Sequence, residues 1–333
     1  MTGFEENEIS VKSQGGTELC KRSLHNYLPD DLQREFQIIC SRIREIQEDK
    51  IRIYWIHDLP EDNECSHLKE ISSRNRFHKI IFVSNWQLND FVNKLKIPRD
   101  SKIEVIEHGI EPIPYKIKPT SRINLIYFST PQRGLEILIP VFTELAKKYD
   151  NIHLDVFSSF KIYGWENMDE KYELLYEQIR QHPQMTYHGF ASQDIVREYL
   201  QKAHILAYPS TWMETSCRVL IESMSAGLMC VHPNLAALSD TSGMLTLSYQ
   251  YQDNVNAHAS LFHHYLEHAI NSVKNEATQN YLGGFVKTYA DLRFNLNGAV
   301  KKWEMLMRHL LTENYTIESR KIKQEQQIFT YRT

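Results

Sequence analysis

The chain has no uninterrupted apolar stretch of ~18 residues, so no segment reads as a transmembrane helix. It also has no long basic run. Its 38 Lys and Arg stand against 42 Asp and Glu, a formal charge of -4, which gives a nucleic-acid role no electrostatic support. Cysteine is scarce: Cys20, Cys40, Cys65, Cys217 and Cys230 are odd in number and widely spaced. They make neither a disulfide framework nor a Cys-x-x-Cys site, and the expected compartment is a reducing cytoplasm. The opening residues 1–13 carry Glu5, Glu6 and Glu8 but no apolar core, so they do not read as a secretory signal. No repeat or low-complexity tract stands out.

What is present is a globular composition, 42% hydrophobic and 24% charged over 333 residues, enough for two cores. Short β-branched or aromatic runs recur at 35–40, 51–57, 79–84, 103–107, 123–129, 152–158, 185–189, 204–209, 228–232 and 244–248. Helix-length segments lie between many of them, as at 134–149, 171–181, 193–202 and 216–226. This alternation predicts an α/β fold of parallel sheets covered on both faces. Residues 110–121 hold Pro112, Pro114 and Pro119 without periodicity and read as an interdomain linker. The expected division is a first domain at 1–112, a second at 113–290, and helices with a tail at 291–333 that return to the first domain. Nothing strand-like precedes Gly15 and Gly16, so the first domain is expected to be reduced, to about four strands. From 256 to near 315 the chain reads as helices, and 318–333 as a loose polar tail.

Ligands of open α/β sheets sit beyond the carboxyl ends of strands. His57, Arg133 and Glu214 each follow a predicted strand, which places acid/base and cationic groups at that position. The densest motif is YPSTWMETSCRVLIE, residues 208–222. Thr215 or Ser216 is a suitable cap for a helix whose Cys217, Leu220, Ile221 and Met224 form one apolar face. The N–H groups of its first turn suit a pyrophosphate. Two plainer roles compete: Glu214 as a complement to the helix dipole, and Arg218 with Glu222 as a surface i,i+4 pair.

Glu214, seven residues, then Glu222, with Ser225-Ala226-Gly227 following, resembles the motif of the retaining glycosyltransferases of family 4. Other segments are similar in order and distance. Gly15-Gly16-Thr17-Glu18 resembles the family's glycine loop, and Tyr54-Trp55-Ile56-His57-Asp58 the strand end bearing its active-site histidine. Val83-Ser84-Asn85-Trp86 and Glu107-His108-Gly109-Ile110-Glu111 resemble the motifs that close the first domain. Arg133-Gly134-Leu135-Glu136 resembles a phosphate-binding Lys-Gly element, and His188-Gly189-Phe190 the strand end beside the nucleotide base. The likeness covers roughly residues 14–240. Three features depart from the family: Tyr127 and Phe128 stand near where an Arg is usual, Thr215 and Ser216 replace glycines, and a first strand is lacking.

The resemblance implies the GT-B fold, two Rossmann-like doubly wound domains facing a cleft. It further implies transfer of a sugar from a nucleotide donor to an acceptor hydroxyl with retention of configuration. Arg133 and the N–H groups of Thr215, Ser216 and Cys217 would hold the diphosphate. Glu214 would hold sugar hydroxyls, Glu222 the ribose, Phe190 would lie by the base, and Gly15 and Gly16 would admit the phosphates. His57 would contact the sugar at the reacting face; its plainer role is that of a hydrogen-bonded core histidine. No metal or cofactor is expected. His263 and His264 adjoin on a predicted helix with His258 and His268 nearby; His264 and His268, at i,i+4, are a metal-ligand pair by geometry but read more simply as a solvated face. The expected substrates are a UDP-, GDP- or ADP-sugar and a glycan, lipid or small-molecule acceptor, with peripheral membrane contact left open. A GT-B sugar-nucleotide epimerase, a phosphorylase and a non-catalytic nucleotide-sugar or glycan-binding subunit are the alternatives.

Overall fold

The structure is a computed structural model, and it describes residues 3–4, 14–42 and 45–321. Expectations for the remaining residues of 1–13 and for 322–333 fall outside those described. Helices α1 (Gly16–Tyr27) and α2 (Asp30–Gln33) precede strands β1 (Phe36–Cys40) and β2 (Ile51–Ile56). Next come α3 (Ile71–Arg74), β3 (Lys79–Phe82), α4 (Asn85–Leu95), β4 (Ile103–Val105) and β5 (Ile123–Phe128). They are followed by α5 (Leu135–Ala146), β6 (Ile152–Phe157), α6 (Glu173–Gln181), β7 (Met185–Tyr187), α7 (Gln193–Leu200) and β8 (Ile205–Ala207). Then α8 (Arg218–Ser225), β9 (Met229–Pro233), α9 (Leu238–Ser242) and β10 (Leu247–Tyr249) complete the strands. Helices α10 (Val255–Val273), α11 (Glu276–Arg293), α12 (Leu296–Glu313) and α13 (Ile317–Arg320) end the described order. Every predicted strand is present. The chain divides into two compact units, one of Met1–Gly109 with Leu296–Thr333, the other of Ile110–Asn295.

The first unit holds a four-stranded parallel sheet in the order β1-β2-β3-β4. Side chains alternate across a strand, so each face gathers its own core. Ile38, Cys40, Ile53, Trp55 and Ile81 meet Leu24, Leu32, Trp303 and Met307 from α1, α2 and α12. Ile39, Tyr54, Ile56, Ile80 and Phe82 meet Leu68, Phe91 and Leu95 on the other side. Burial on both faces explains why these strands read as continuous apolar runs. The reduced domain is seen directly: four strands among the described residues, with the Gly3 carbonyl accepting from Ile38 N–H at 2.7 Å along the outer edge of β1.

The loose tail expected from 318 is corrected at its start. Arg320 is buried and donates to the carbonyls of Asn314 (2.9 Å) and Asp49 (3.0 Å). Its own carbonyl accepts from Arg52 Nη2 at 2.7 Å. Arg52, 1% exposed, also donates to the carbonyls of Arg76 (2.7 Å) and Lys50 (3.0 Å). A buried guanidinium persists only when its donors are filled, and here backbone carbonyls fill them.

The second unit has a six-stranded parallel sheet in the order β10-β9-β8-β5-β6-β7. Chain order therefore reverses between β5 and β8, which pair through Leu125 with Ile205 and Ile126 with Leu206. In doubly wound sheets that reversal point opens a crevice for ligand at the carboxyl ends of the strands.

The linker expected at 110–121 is instead part of the second unit. Ile113 is fully buried and its N–H donates to Ser225 Oγ at 2.9 Å. Lys118, 1% exposed, donates to the Ala226 carbonyl at 2.8 Å, and Lys287 to the Ser225 carbonyl at 2.9 Å. Two ammonium groups thus cap the carboxyl end of α8, where the helix dipole favours them. Burial lowers Lys118 to about 8. The prolines shape a strap that packs down rather than a free tether.

Four histidines give the protein a pH dependence. Burial lowers His67 to about 3 and His78, His204 and His232 to about 4. Unfolded histidines titrate near ~6.5, so between that value and about 4 the unfolded chain binds more protons. The stability these neutral rings contribute is present above ~6.5 and is lost as pH falls towards 4. Thermal melts followed by circular dichroism should show Tm dropping steadily over that window. A flat Tm there would mean that these rings are solvated.

Candidate functional site

In the second unit, two loops converge at the reversal point. Arg133 follows β5 and Glu214 follows β8, the two strands that meet at the reversal. Arg133 Nη1 forms a largely buried ion pair with Glu214 Oε1, their side chains being 18% and 9% exposed. Tyr208 Oη donates to the same oxygen at 2.9 Å. The Trp212 ring lies 5.7 Å from the guanidinium carbon, a cation–π distance. Burial pulls the Arg133 pKa down, but Glu214, then Tyr208, more than offset it, and the net shift is upwards. Burial and Glu214 raise Tyr208 well above 10, so its hydroxyl stays protonated and donates.

Gly134 makes this meeting geometrically feasible. Its φ is +98°, in the left-handed region, and a Cβ there would sit 2.0 Å from the Pro209 carbonyl oxygen. The β5 loop thus crosses the end of β8 at backbone contact, and glycine is required twice over.

Helix α8 starts later than the capping residues suggest. Its N-cap is Cys217, without a side-chain cap bond, and its first helical residue is Arg218. Thr215 and Ser216 belong to the loop before it, so the first-turn N–H groups are those of Arg218, Val219 and Leu220. The cause is packing. Cys217 is 2% exposed, and drawing its side chain into the core takes the loop past the point where a Ser cap would begin the helix. Glu214 does not complement the helix dipole, because its carboxylate is engaged by Arg133 and Tyr208.

Glu222 is not half of a surface pair. At 2% exposure it accepts from Arg218 Nε at 2.8 Å, and both its oxygens accept from Gln193 Nε2 at 2.8 Å. Gln193 opens α7, just after the loop with Phe190, so the motif at 188–190 and the second glutamate are joined through one amide. Phe190 itself is half-buried beside Gly189, whose φ is +64°. His188 stacks on Phe157 at 4.2 Å and lies 2.8 Å from Asp155 Oδ1. Tyr127 is wholly buried and donates to the Thr130 carbonyl at 2.8 Å.

In the first unit, Gly15 caps α1 with ordinary extended backbone (φ -62°), and a Cβ on Gly16 would meet nothing within 4 Å. His57 follows β2 directly and is buried, with its ring 4.5 Å from Trp55 and 5.3 Å from His108. His57 Nδ1 lies 3.4 Å from His108 Nε2. Burial, then His108 and Lys21, hold His57 well below 6.5, so it is a neutral imidazole. Its backbone N–H donates to Ser41 Oγ at 3.0 Å, and Ser41 takes a left-handed φ of 60°. Strained non-glycine backbone of this kind clusters at functional sites.

Several contributors carry no signal in the sequence: Ser41, His108 as a partner of His57, Gln193, and Tyr208 as a donor to Glu214. His264 and His268 are exposed, as a solvated face requires, while their neighbour His258 is buried and lies 3.0 Å from the Tyr249 hydroxyl. Among the described residues no three His, Cys, Asp or Glu side chains are placed to hold a metal ion together, and no helix is long and apolar enough to cross a membrane.

Residues 126–242 match the family model described as glycosyl transferases group 1. That span runs from β5 to α9 and contains Arg133, Phe190, Glu214 and Glu222. No curated protein matches the chain. Its fold is similar to that of a glycosyltransferase from Rickettsia africae ESF-5, with TM-score 0.66 and 14% identity over 91% of this chain and 84% of that one. It is also similar to sucrose-phosphate synthase from Thermosynechococcus elongatus, with TM-score 0.62 and 16% identity over 85% and 70%. The Anabaena protein HepE, solved with UDP and glucose, gives TM-score 0.60 and 17% identity over 78% and 72%. The chain thus has the fold of GT-B glycosyltransferases, two α/β units each built on a parallel sheet.

The two kinds of glycine should separate on substitution. Gly134→Ala forces a non-glycine into left-handed backbone, costing ~1–3 kcal/mol, and drives its Cβ into the 209 carbonyl besides. Gly16→Ala enters open space in a helix, where Ala is favoured by up to ~1 kcal/mol. Urea unfolding should show a large loss for the first and none for the second. Equal stability of both variants would contradict the crossing of β5 and β8 loops.

Proposed function

We propose that the chain is a glycosyltransferase that takes a sugar from a nucleoside diphosphate donor with retention of configuration and without a metal. The observation that carries this is the meeting of Arg133 and Glu214 at the reversal of strand order in the six-stranded sheet. A guanidinium there can hold the terminal phosphate bidentately and stabilise the charge that develops on it as the sugar leaves. The N–H groups at the start of α8 add a second set of fixed donors. Glu214 is assigned to donor-sugar hydroxyls, Glu222 to the ribose and the Phe190 loop to the base. In the first unit, Gly15 and Gly16 are assigned to the phosphate side. The neutral His57 is assigned to the sugar, as a hydrogen-bonding group rather than a charge.

HepE is solved with UDP and glucose, so UDP and UDP-sugars head the screen, with the GDP and ADP series beside them. A ligand at 100 times its Kd stabilises the protein by ~2.7 kcal/mol, readily seen as a thermal shift. A non-catalytic nucleotide-sugar-binding subunit is the second reading, favoured by the occupation of both Glu222 oxygens by Gln193. Binding with no nucleoside diphosphate release in the presence of any glycan, lipid or small-molecule acceptor would select it. Conversion of the nucleotide sugar to its epimer without acceptor would select an epimerase.

Arg133→Lys keeps the charge but loses the planar fork, and kcat should fall by on the order of 10²–10³, the effect of removing one transition-state donor. Arg133→Ala additionally leaves the Glu214 carboxylate buried and unpaired, so it should also lose ~3–5 kcal/mol of stability. Turnover should survive EDTA in all active variants, and proton NMR should show the donor's anomeric configuration kept in the product. Near-wild-type turnover in Arg133→Lys would remove the guanidinium from the reacting centre, and loss of activity with EDTA would reject metal independence.

A further inference from the structure

We infer that Glu214 is a resident counterion for Arg133, which the incoming diphosphate displaces, so that the sugar-binding carboxylate is released only once the donor's phosphates are in place. The inference rests on the donor site proposed above and adds the order in which that site is assembled.

Four observations support it. Arg133 and Glu214 form a direct ion pair, and neither side chain is more than 18% exposed, so neither charge is satisfied by water alone. The pair uses one carboxylate oxygen, Oε1, and that oxygen also accepts from Tyr208 at 2.9 Å. Arg133 Nε is buried and makes no hydrogen bond among the described residues, so the guanidinium is only partly committed. The ring of Trp212, half-exposed on the loop between Tyr208 and Glu214, lies 5.7 Å from the guanidinium carbon.

The competition follows from charge and geometry. A diphosphate carries more negative charge than a carboxylate and can take the guanidinium fork with two oxygens. It therefore outcompetes Glu214 for Arg133. Tyr208 remains bonded to Oε1, which keeps the carboxylate in its place while the lone pairs used by Arg133 become available to sugar hydroxyls. Without this exchange an unpaired Glu214 would repel the diphosphate, and an unpaired Arg133 would sit buried and uncompensated. Trp212 stays beside the guanidinium throughout, since a cation–π contact does not depend on which anion is bound.

The consequence runs against the ordinary effect of mutating a site residue. Glu214→Gln is isosteric and keeps an acceptor for Tyr208, but it removes the competing charge. Titration of UDP, GDP and ADP by calorimetry should show the preferred diphosphate binding the variant about tenfold more tightly than wild type, because close charge pairs couple by at least that factor. Transfer should nevertheless be lost. Tyr208→Phe acts in the opposite sense: Glu214 loses its other donor and holds Arg133 more firmly, so the same diphosphate should bind roughly fivefold more weakly. A site that had merely loosened would weaken in both variants. If wild type binds none of the three diphosphates, the donor reading itself fails. If wild type binds one, and Glu214→Gln binds it equally or more weakly, Glu214 is not a displaced counterion and the inference is overturned. If Glu214→Gln fails to fold, Glu214→Ala asks the same question with the charge removed: tighter binding upholds the exchange, unchanged or weaker binding refutes it.

Discussion

The ion pair between Arg133 and Glu214 is the contact on which the rest of the second unit's site depends. Two charges taken largely out of water cost several kcal/mol each unless they compensate one another. That requirement sets the conformation of both loops at the reversal of strand order. Gly134 lets the β5 loop cross the end of β8 without a Cβ between them. Tyr208 supplies a second donor to the carboxylate, and Ala237 N–H holds the Glu214 carbonyl at 3.1 Å. The result is a cation and a carboxylate placed at the carboxyl ends of the two central strands, where a doubly wound sheet has room for a ligand.

Helix α8 is held with similar care at its far end. Lys118 and Lys287 donate to its last carbonyls, and Ser225 Oγ accepts from the strap at Ile113. Fixing the carboxyl end fixes the amino end, whose first-turn N–H groups lie beside the Glu214 loop in sequence. Glu222, inside the same helix, is oriented by Arg218 and Gln193, so its carboxylate is set before any ligand arrives. Such preorganisation is what lets fixed dipoles stabilise developing charge without rearranging at the moment of reaction.

Much of the fold is legible in the sequence, because strands buried on both faces leave short runs of apolar residues bounded by turn signals. Ile51–Ile56 and Ile123–Phe128 are such runs, and both are strands. The positions of Arg133 and Glu214 after their strands are legible for the same reason. What sequence reading misses depends on side chains distant along the chain. Capping preference places the α8 start at Thr215 or Ser216, but burial of Cys217 moves it to Arg218, a tertiary choice that propensity does not register. Gln193 and Tyr208 are ordinary residues until the fold sets them against Glu222 and Glu214. The strap at 110–121 reads as a tether because prolines erase periodicity, while its anchors, Ile113 and Lys118, are single residues.

A crystal structure of the protein with a bound nucleoside diphosphate tests the central claim most directly. The account predicts the terminal phosphate at the carboxyl ends of β5 and β8, within hydrogen-bond reach of the Arg133 guanidinium, with Glu214 turned from Arg133 but still bonded to Tyr208. A diphosphate bound elsewhere, with the Arg133–Glu214 pair intact, would contradict it.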